Sequence, residues 1–190
     1  TSSLNTDGDR FENTLSGRAI LNLSAVDSFG VKNIKYRIDS SEFATYQKPI
    51  QTARITEGEH TLTWFATDKV GNNENQQSFT FFVDKTPPMV FEEIVGNSYM
   101  VGNKEFSSGR SQLKVAAVDN KAGVKEIFYS LNNGEFNKYE KPVLLSDIMG
   151  TMNVKSYAVD NVNNRSQSGA STESFTIPTI DIAGPTLTYK

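Results

Sequence analysis

The sequence predicts an all-β chain made of two copies of one sandwich of about seven short strands. Three observations predict it: a segment that repeats at a fixed offset, stretches of alternating apolar and polar residues, and turn residues every 8 to 12 positions or so. At 190 residues the chain is long enough for two domains, each able to bury a core. A hydrophobic fraction of 37% with 11% aromatics supplies those cores, and the absence of long charge runs argues against disorder.

The repeat carries most of the weight. Ser16-Gly17-Arg18 recurs as Ser108-Gly109-Arg110, and Ala25-Val26-Asp27 recurs as Ala117-Val118-Asp119 at the same offset. Gly30-Val31-Lys32 and Tyr36 match Gly123-Val124-Lys125 and Tyr129, one position further on, because the second turn holds one extra residue. Glu42-Phe43, Tyr46 and Lys48-Pro49-Ile50 match Glu135-Phe136, Tyr139 and Lys141-Pro142-Val143, and Ala66-Thr67-Asp68 matches Ala158-Val159-Asp160.

In the first copy, strands are expected at residues 18–26 (Ile20, Leu21, Leu23), 31–38 (Ile34, Tyr36, Ile38), 43–46, 61–67 (Leu62, Trp64, Ala66) and 78–83. The second copy repeats them at 113–118, 124–131, 136–139, 152–159 and 174–177, and adds one at 89–94 for which the first copy shows no counterpart. A closed barrel is the competing all-β answer. Helices are not indicated.

Asp84-Lys85-Thr86-Pro87-Pro88 marks the boundary, since paired prolines force extended backbone. The expected division is a module at 1–84 lacking its first strand, a module at 85–180, and a linker with the first strand of a further module at 181–190. Gly184-Pro185 is the second boundary, and Leu187 and Tyr189 lie in that extra strand.

Tyr36 to Asp39, Glu42-Phe43, Tyr46 to Ile50, Glu57 to Thr61, Ala66 to Asn72 and Val83 to Pro88 together resemble bacterial immunoglobulin-like tandem repeats of exported surface proteins. The likeness extends to spirochaete outer-surface repeat modules and, more loosely, to sandwich modules appended to carbohydrate enzymes. It implies two tandem immunoglobulin-like (fibronectin III-like) sandwiches in a stalk, spacer or adhesive segment at the cell surface, secreted or periplasmic. The second copy departs from the pattern at Asn163, where the first has Gly71.

Several function classes are disfavoured. Lys+Arg at 19 against Asp+Glu at 22 leaves a net charge of -3 and no basic stripe for a phosphate backbone, so nucleic acid is not an expected partner. Cys is absent, which removes thiolate chemistry and Cys-based metal sites. No apolar run reaches the roughly 18 residues of a membrane span. The one His, His60, stands without the partners of a catalytic triad or a multi-His metal site and is expected to be structural. No enzyme activity and no cofactor are expected.

One site is worth weighing. In an immunoglobulin-like sandwich the loop closing the second strand and the loop before the last strand meet at one pole. That puts Asp119 beside Asp160, with Asp84 arriving on the linker. Three carboxylates, completed by Asn120 or Asn161 and turn carbonyls, could hold Ca²⁺ through hard oxygen ligands. Against it, an Asp that opens a turn accepts backbone N–H bonds by itself, and the dense ligand spacing of a dedicated calcium loop is missing. Asp27 and Asp68 are the matching residues of the first copy. The expected partners are a protein or glycan ligand on a host or cell surface and neighbouring modules of the same chain. The rival class, a carbohydrate-binding or accessory module of a secreted glycan-active enzyme, needs an exposed aromatic platform drawn from Trp64, Tyr36, Tyr129 and Tyr139.

Overall fold

A computed structural model describes residues 1–146, 150–166 and 175–181. The chain divides into two compact units, Thr1–Thr86 with Asn161–Asn164, and Pro87–Asp160 with Arg165–Lys190. Both are all-β sandwiches. Among the described residues the one helical element is a single 3-10 turn at Thr52–Arg54.

The first unit holds β1 (Ser2–Asp7), β2 (Arg10–Phe11), β3 (Thr14–Ser16), β4 (Ile20–Ala25), β5 (Val31–Ile38), β6 (Ala44–Thr45), β7 (Ile50–Gln51), β8 (Gly58–Asp68) and β9 (Gln77–Asp84). One sheet runs β1-β4-β7 and the other β2-β3-β9-β8-β5-β6. All pairings are antiparallel except β3 with β9, which run parallel, so the chain crosses from the first sheet to the second between β1 and β3. Two separate sheets, rather than one closed on itself, settle the choice between sandwich and barrel.

The period of two decides which face is inside. On β8, Leu62, Trp64 and Ala66 are buried, and on β9 Phe81 and Val83 are buried. Leu62, Trp64, Phe81 and Val83 form one core with Leu15, Leu21, Leu23, Ile50 and Ile55, each large side chain contributing about 1.5–3 kcal/mol by leaving water. Phe79 stacks on Phe81 at 5.6 Å, and Tyr36 meets Tyr46 edge-on at 6.1 Å.

The second unit repeats this strand for strand: β10 (Met89–Val95), β11 (Ser98–Val101), β12 (Lys104–Ser108), β13 (Gln112–Val118), β14 (Val124–Leu131), β15 (Asn137–Lys138), β16 (Val143–Leu144), β17 (Gly150–Asp160) and β18 (Phe175–Asp181). Its sheets run β10-β13-β16 and β11-β12-β18-β17-β14-β15, again with one parallel pair, β12 with β18. Even the irregularity recurs: β5 shifts register between Val31 and Asn33, and β14 between Val124 and Glu126. Leu113, Val115, Leu145, Met152 and Val154 make its core.

One expectation is corrected. The first copy does have its opening strand: β1 pairs with β4 from Ser2 opposite Ala25 to Asp7 opposite Ile20, as β10 pairs with β13. The alternation in Ser2–Asp7 supplies Leu4 as its sole large apolar residue, with Ser2 and Thr6 at the neighbouring inward positions, so hydrophobic periodicity could not reveal it. The strand expected at the far end of the chain, like Gly184 and Pro185, lies outside the described residues.

The two cores differ by a matched pair of replacements. Leu4 and Trp64 belong to the first core. At the equivalent places the second unit has Glu92 and Ser156, and the Ser156 hydroxyl donates to the Glu92 carboxylate. A half-buried carboxylate is tolerated there because a hydroxyl meets it, and the bulk of an indole gives way to make room.

Candidate functional site

The carboxylates picked out from the sequence are turn-builders wherever their partners are visible. At the end of β4, Asp27 accepts the N–H of Phe29 at 2.8 Å, and Gly30 follows with φ +86° to complete the turn. At the end of β8, Asp68 accepts the N–H groups of Val70 and Asn72 at 2.9 and 2.8 Å and the Asn72 side-chain amide at 2.8 Å. The backbone bond from Asn72 is the main cause holding the Asp68 carboxyl below its usual range.

In the second unit Asp119, at the end of β13, accepts the N–H of Lys121 at 3.1 Å and of Gly123 at 2.7 Å through one oxygen. Its other oxygen, Oδ2, is buried with no hydrogen-bond partner. Asp160 ends β17 fully buried, and carboxylate oxygens of Asp119 and Asp160 lie within 4.8 Å of each other, as the sandwich topology led one to expect. Asp84 ends β9 in the first unit, also fully buried, and accepts the Thr86 N–H at 3.1 Å. Asn120 and Asn161 lie in the turns next to Asp119 and Asp160. Two carboxylates this close, with one oxygen shut away from donors, repel one another unless a proton or cation sits near them.

His60 has a structural setting. Its Nδ1 lies 2.8 Å from the Asp39 carboxylate and its Nε2 2.9 Å from the Thr56 carbonyl, while the ring packs 6.0 Å from Phe81. Asp39 also accepts the Thr61 N–H at 2.8 Å. The His60 hydrogen bond, then that from Thr61, keeps the Asp39 carboxyl below its ordinary value. Asp39 takes φ +54°, a left-handed turn position, and in the second unit Asn132 at φ +52° plays the same part, accepting the Asn153 N–H at 3.1 Å.

The residues named for the aromatic platform of the glycan-module alternative are buried or half-buried. Trp64 is 6% exposed. Tyr36 packs against the first core, and Tyr129 and Tyr139 against the second, meeting edge-on at 6.1 Å.

Two features escaped the sequence reading. Glu74, after β8, accepts the Ser2 and Ala66 N–H groups at 2.9 and 2.7 Å and the Ser2 hydroxyl, so one carboxylate fastens β1 to β8. In the second unit the Ser166 hydroxyl accepts the equivalent N–H, that of Ala158, at 2.7 Å. The other is an outward aromatic group on the second unit, where Tyr157 stacks on Phe128 at 4.8 Å, meets Phe136 at 4.9 Å and carries the Arg165 guanidinium at 3.6 Å.

No family model matches this sequence, and no curated protein matches it. Among solved structures it is similar to the fibronectin(III)-like modules of Clostridium thermocellum CbhA, at 11% identity and a TM-score of 0.46, over 95% of this chain and 94% of that one. It is also similar to the D00-D0 domain of Intimin, at 13% identity and a TM-score of 0.34, over 94% of this chain and 100% of that one. Among the described residues, no helix is long and apolar enough to cross a membrane.

Proposed function

We propose that this chain is a structural and interaction segment of an exported bacterial surface protein, a spacer or adhesive array with no catalytic role. The observation that carries the reading is duplication: each half closes its own core with the same strand order, down to the same irregularity in β5 and β14. Repeated modules add length in fixed steps while every fold stays self-sufficient. The titratable side chains that drew notice, Asp27, Asp68, Asp39 and His60, support the reading because their hydrogen bonds go to neighbouring backbone and to each other. Mild protease treatment of intact producing cells tests it. Release of fragments of this chain without lysis is the expected result, and full protection inside intact cells contradicts it.

A calcium ion bound by Asp119 and Asp160, with Asp84 as the third carboxylate assigned from the sequence, belongs to the same proposal. Its support is the proximity of two carboxylates and the buried, unpartnered Oδ2 of Asp119. Millimolar Ca²⁺ is expected to raise the melting temperature through preferential binding to the folded state. Asp119→Asn should abolish the rise, and Asp84→Asn should reduce it if that residue is a ligand. A melting temperature indifferent to Ca²⁺ rules the ion out.

A further inference from the structure

A cleft of about 250 Å³ opens in the first unit between β5 and the segment from Lys48 to Ile55. It is slightly smaller than the roughly 300 Å³ at which small-molecule pockets begin. Tyr36, Ile38, Ile50 and Ile55 give it apolar walls, and Lys48 and Arg54 are the charged residues that line it. Among the described residues no carboxylate lines it, and neither cation has an ion pair. Two cations thus stand beside apolar surface in this cleft, which gives it a local positive potential in a chain of net charge -3.

The backbone that presents Arg54 is held on both sides. The buried Thr52 hydroxyl donates to the carbonyls of Ser16 at 2.6 Å and Ala19 at 2.8 Å. Lys85 Nζ donates to the carbonyls of Ala53 at 3.1 Å and Ile55 at 2.5 Å. A site whose backbone is already ordered loses less entropy on binding than a loose one.

The second copy provides an internal comparison. Leu145 stands where Thr52 does, each with its N–H bonded to the equivalent carbonyl, of Ser111 and Ala19. Counting on from that pair, Gln51 is replaced by Leu144 and Arg54 by Asp147 in the sequence. The same stretch therefore carries one cation fewer and one acid more.

We infer that this cleft binds a small organic acid, its carboxylate taken by Arg54 and Lys48 and its body lying against Tyr36 and the isoleucines. The planar guanidinium fork suits two-point recognition of a carboxylate, and Lys48 adds a second charge. The apolar walls exclude a bare inorganic anion as the best-fitting ligand. A sugar acid and an aromatic acid share this chemistry. The inference does not depend on the spacer reading.

The test is an NMR titration of the full chain with D-glucuronate and with benzoate, against D-glucose and inorganic sulfate. Saturable shifts at Tyr36, Ile50 and Arg54 with either acid are expected, and which acid binds tighter names the source. Arg54→Gln should weaken binding about tenfold or more, with Arg54→Lys retaining part of it. Thermal melting of each variant checks that the fold persists, as it should for an exposed side chain. Equal shifts with D-glucose or with sulfate overturn the inference, as do shifts centred on Leu144, unchanged affinity in Arg54→Gln, or no saturable response to either acid.

Discussion

Trp64→Ala is expected to destabilise the first sandwich by about 3–5 kcal/mol, the cost of removing a large aromatic side chain from a packed core. Trp64 is 6% exposed on β8 and sits in the same cluster as Leu21, Leu23 and Phe81. A domain of this size has only about 5–15 kcal/mol to lose, so the variant should be close to unfolding at physiological temperature. Trp64→Phe should behave very differently. The indole Nε1 is buried without an acceptor, so the wild-type core already carries an unsatisfied donor. Removing such a donor returns about 1–3 kcal/mol, which offsets much of the lost volume. Phenylalanine is therefore expected to cost less than about 1.5 kcal/mol. Denaturant unfolding followed by circular dichroism measures both. A phenylalanine variant as unstable as the alanine one would mean that the indole N–H is satisfied.

Glu74→Ala is expected to cost about 1–3 kcal/mol, because it leaves the Ala66 N–H and the Ser2 N–H and hydroxyl without their common acceptor. The effect should depend on pH with a definite sign. Burial raises the Glu74 pKa, but the bonds from Ser2 and Ala66 outweigh it and hold the carboxyl below its usual 4.5. A carboxylate whose folded value is depressed contributes stability that is fully present above the unfolded value and is lost as pH falls through the folded one. The gap between wild type and Glu74→Ala should therefore be constant near neutrality and narrow as the pH drops below about 4. Glu74→Gln, which keeps one carbonyl acceptor, should fall between the two. Stability curves of the three proteins against pH decide it, and a gap that widens on acidification contradicts the assignment.

These two residues also mark how far sequence reasoning reaches. Trp64 was legible as an inward residue because Leu62, Trp64 and Ala66 alternate with polar neighbours, and alternation is a property of adjacent positions. Glu74 was not, since its partners are Ser2, at the far end of the unit, and a backbone N–H on β8, which only the folded chain brings together. The same distinction separates the strands. β5, β8 and β14 announce themselves through Ile34, Tyr36 and Ile38, through Leu62, Trp64 and Ala66, and through Ile127, Tyr129 and Leu131 at every second place, and β17 through Met152, Val154 and Ala158 with Ser156 interrupting. β1 buries Ser2 and is stabilised by an inward Leu4 and by pairing with β4, so its sequence looks polar. β2 and β7 are two residues long, too short for any period to register.

At the candidate site, the nearness of Asp119 and Asp160 followed from the duplicated turns and from sandwich topology. The buried Oδ2 of Asp119 did not, because burial of one oxygen of a turn carboxylate depends on packing several residues away. The Lys48 and Arg54 cleft was invisible for a related reason. Its walls come from β5, β7 and the turn at Thr52–Arg54, and nothing in the spacing of those residues says that they face one another.

Because Trp64 is the sole tryptophan and lies in the first unit, its fluorescence reports on one sandwich alone. The most direct test is Leu113→Ala, a fully buried position of the second core, with unfolding followed both by that fluorescence and by circular dichroism. Separate cores require the fluorescence midpoint to stay where it is while the circular dichroism transition splits, its earlier step moving to lower denaturant. If the tryptophan signal shifts in step with the damaged second core, the two halves share one folding unit and the modular account is wrong.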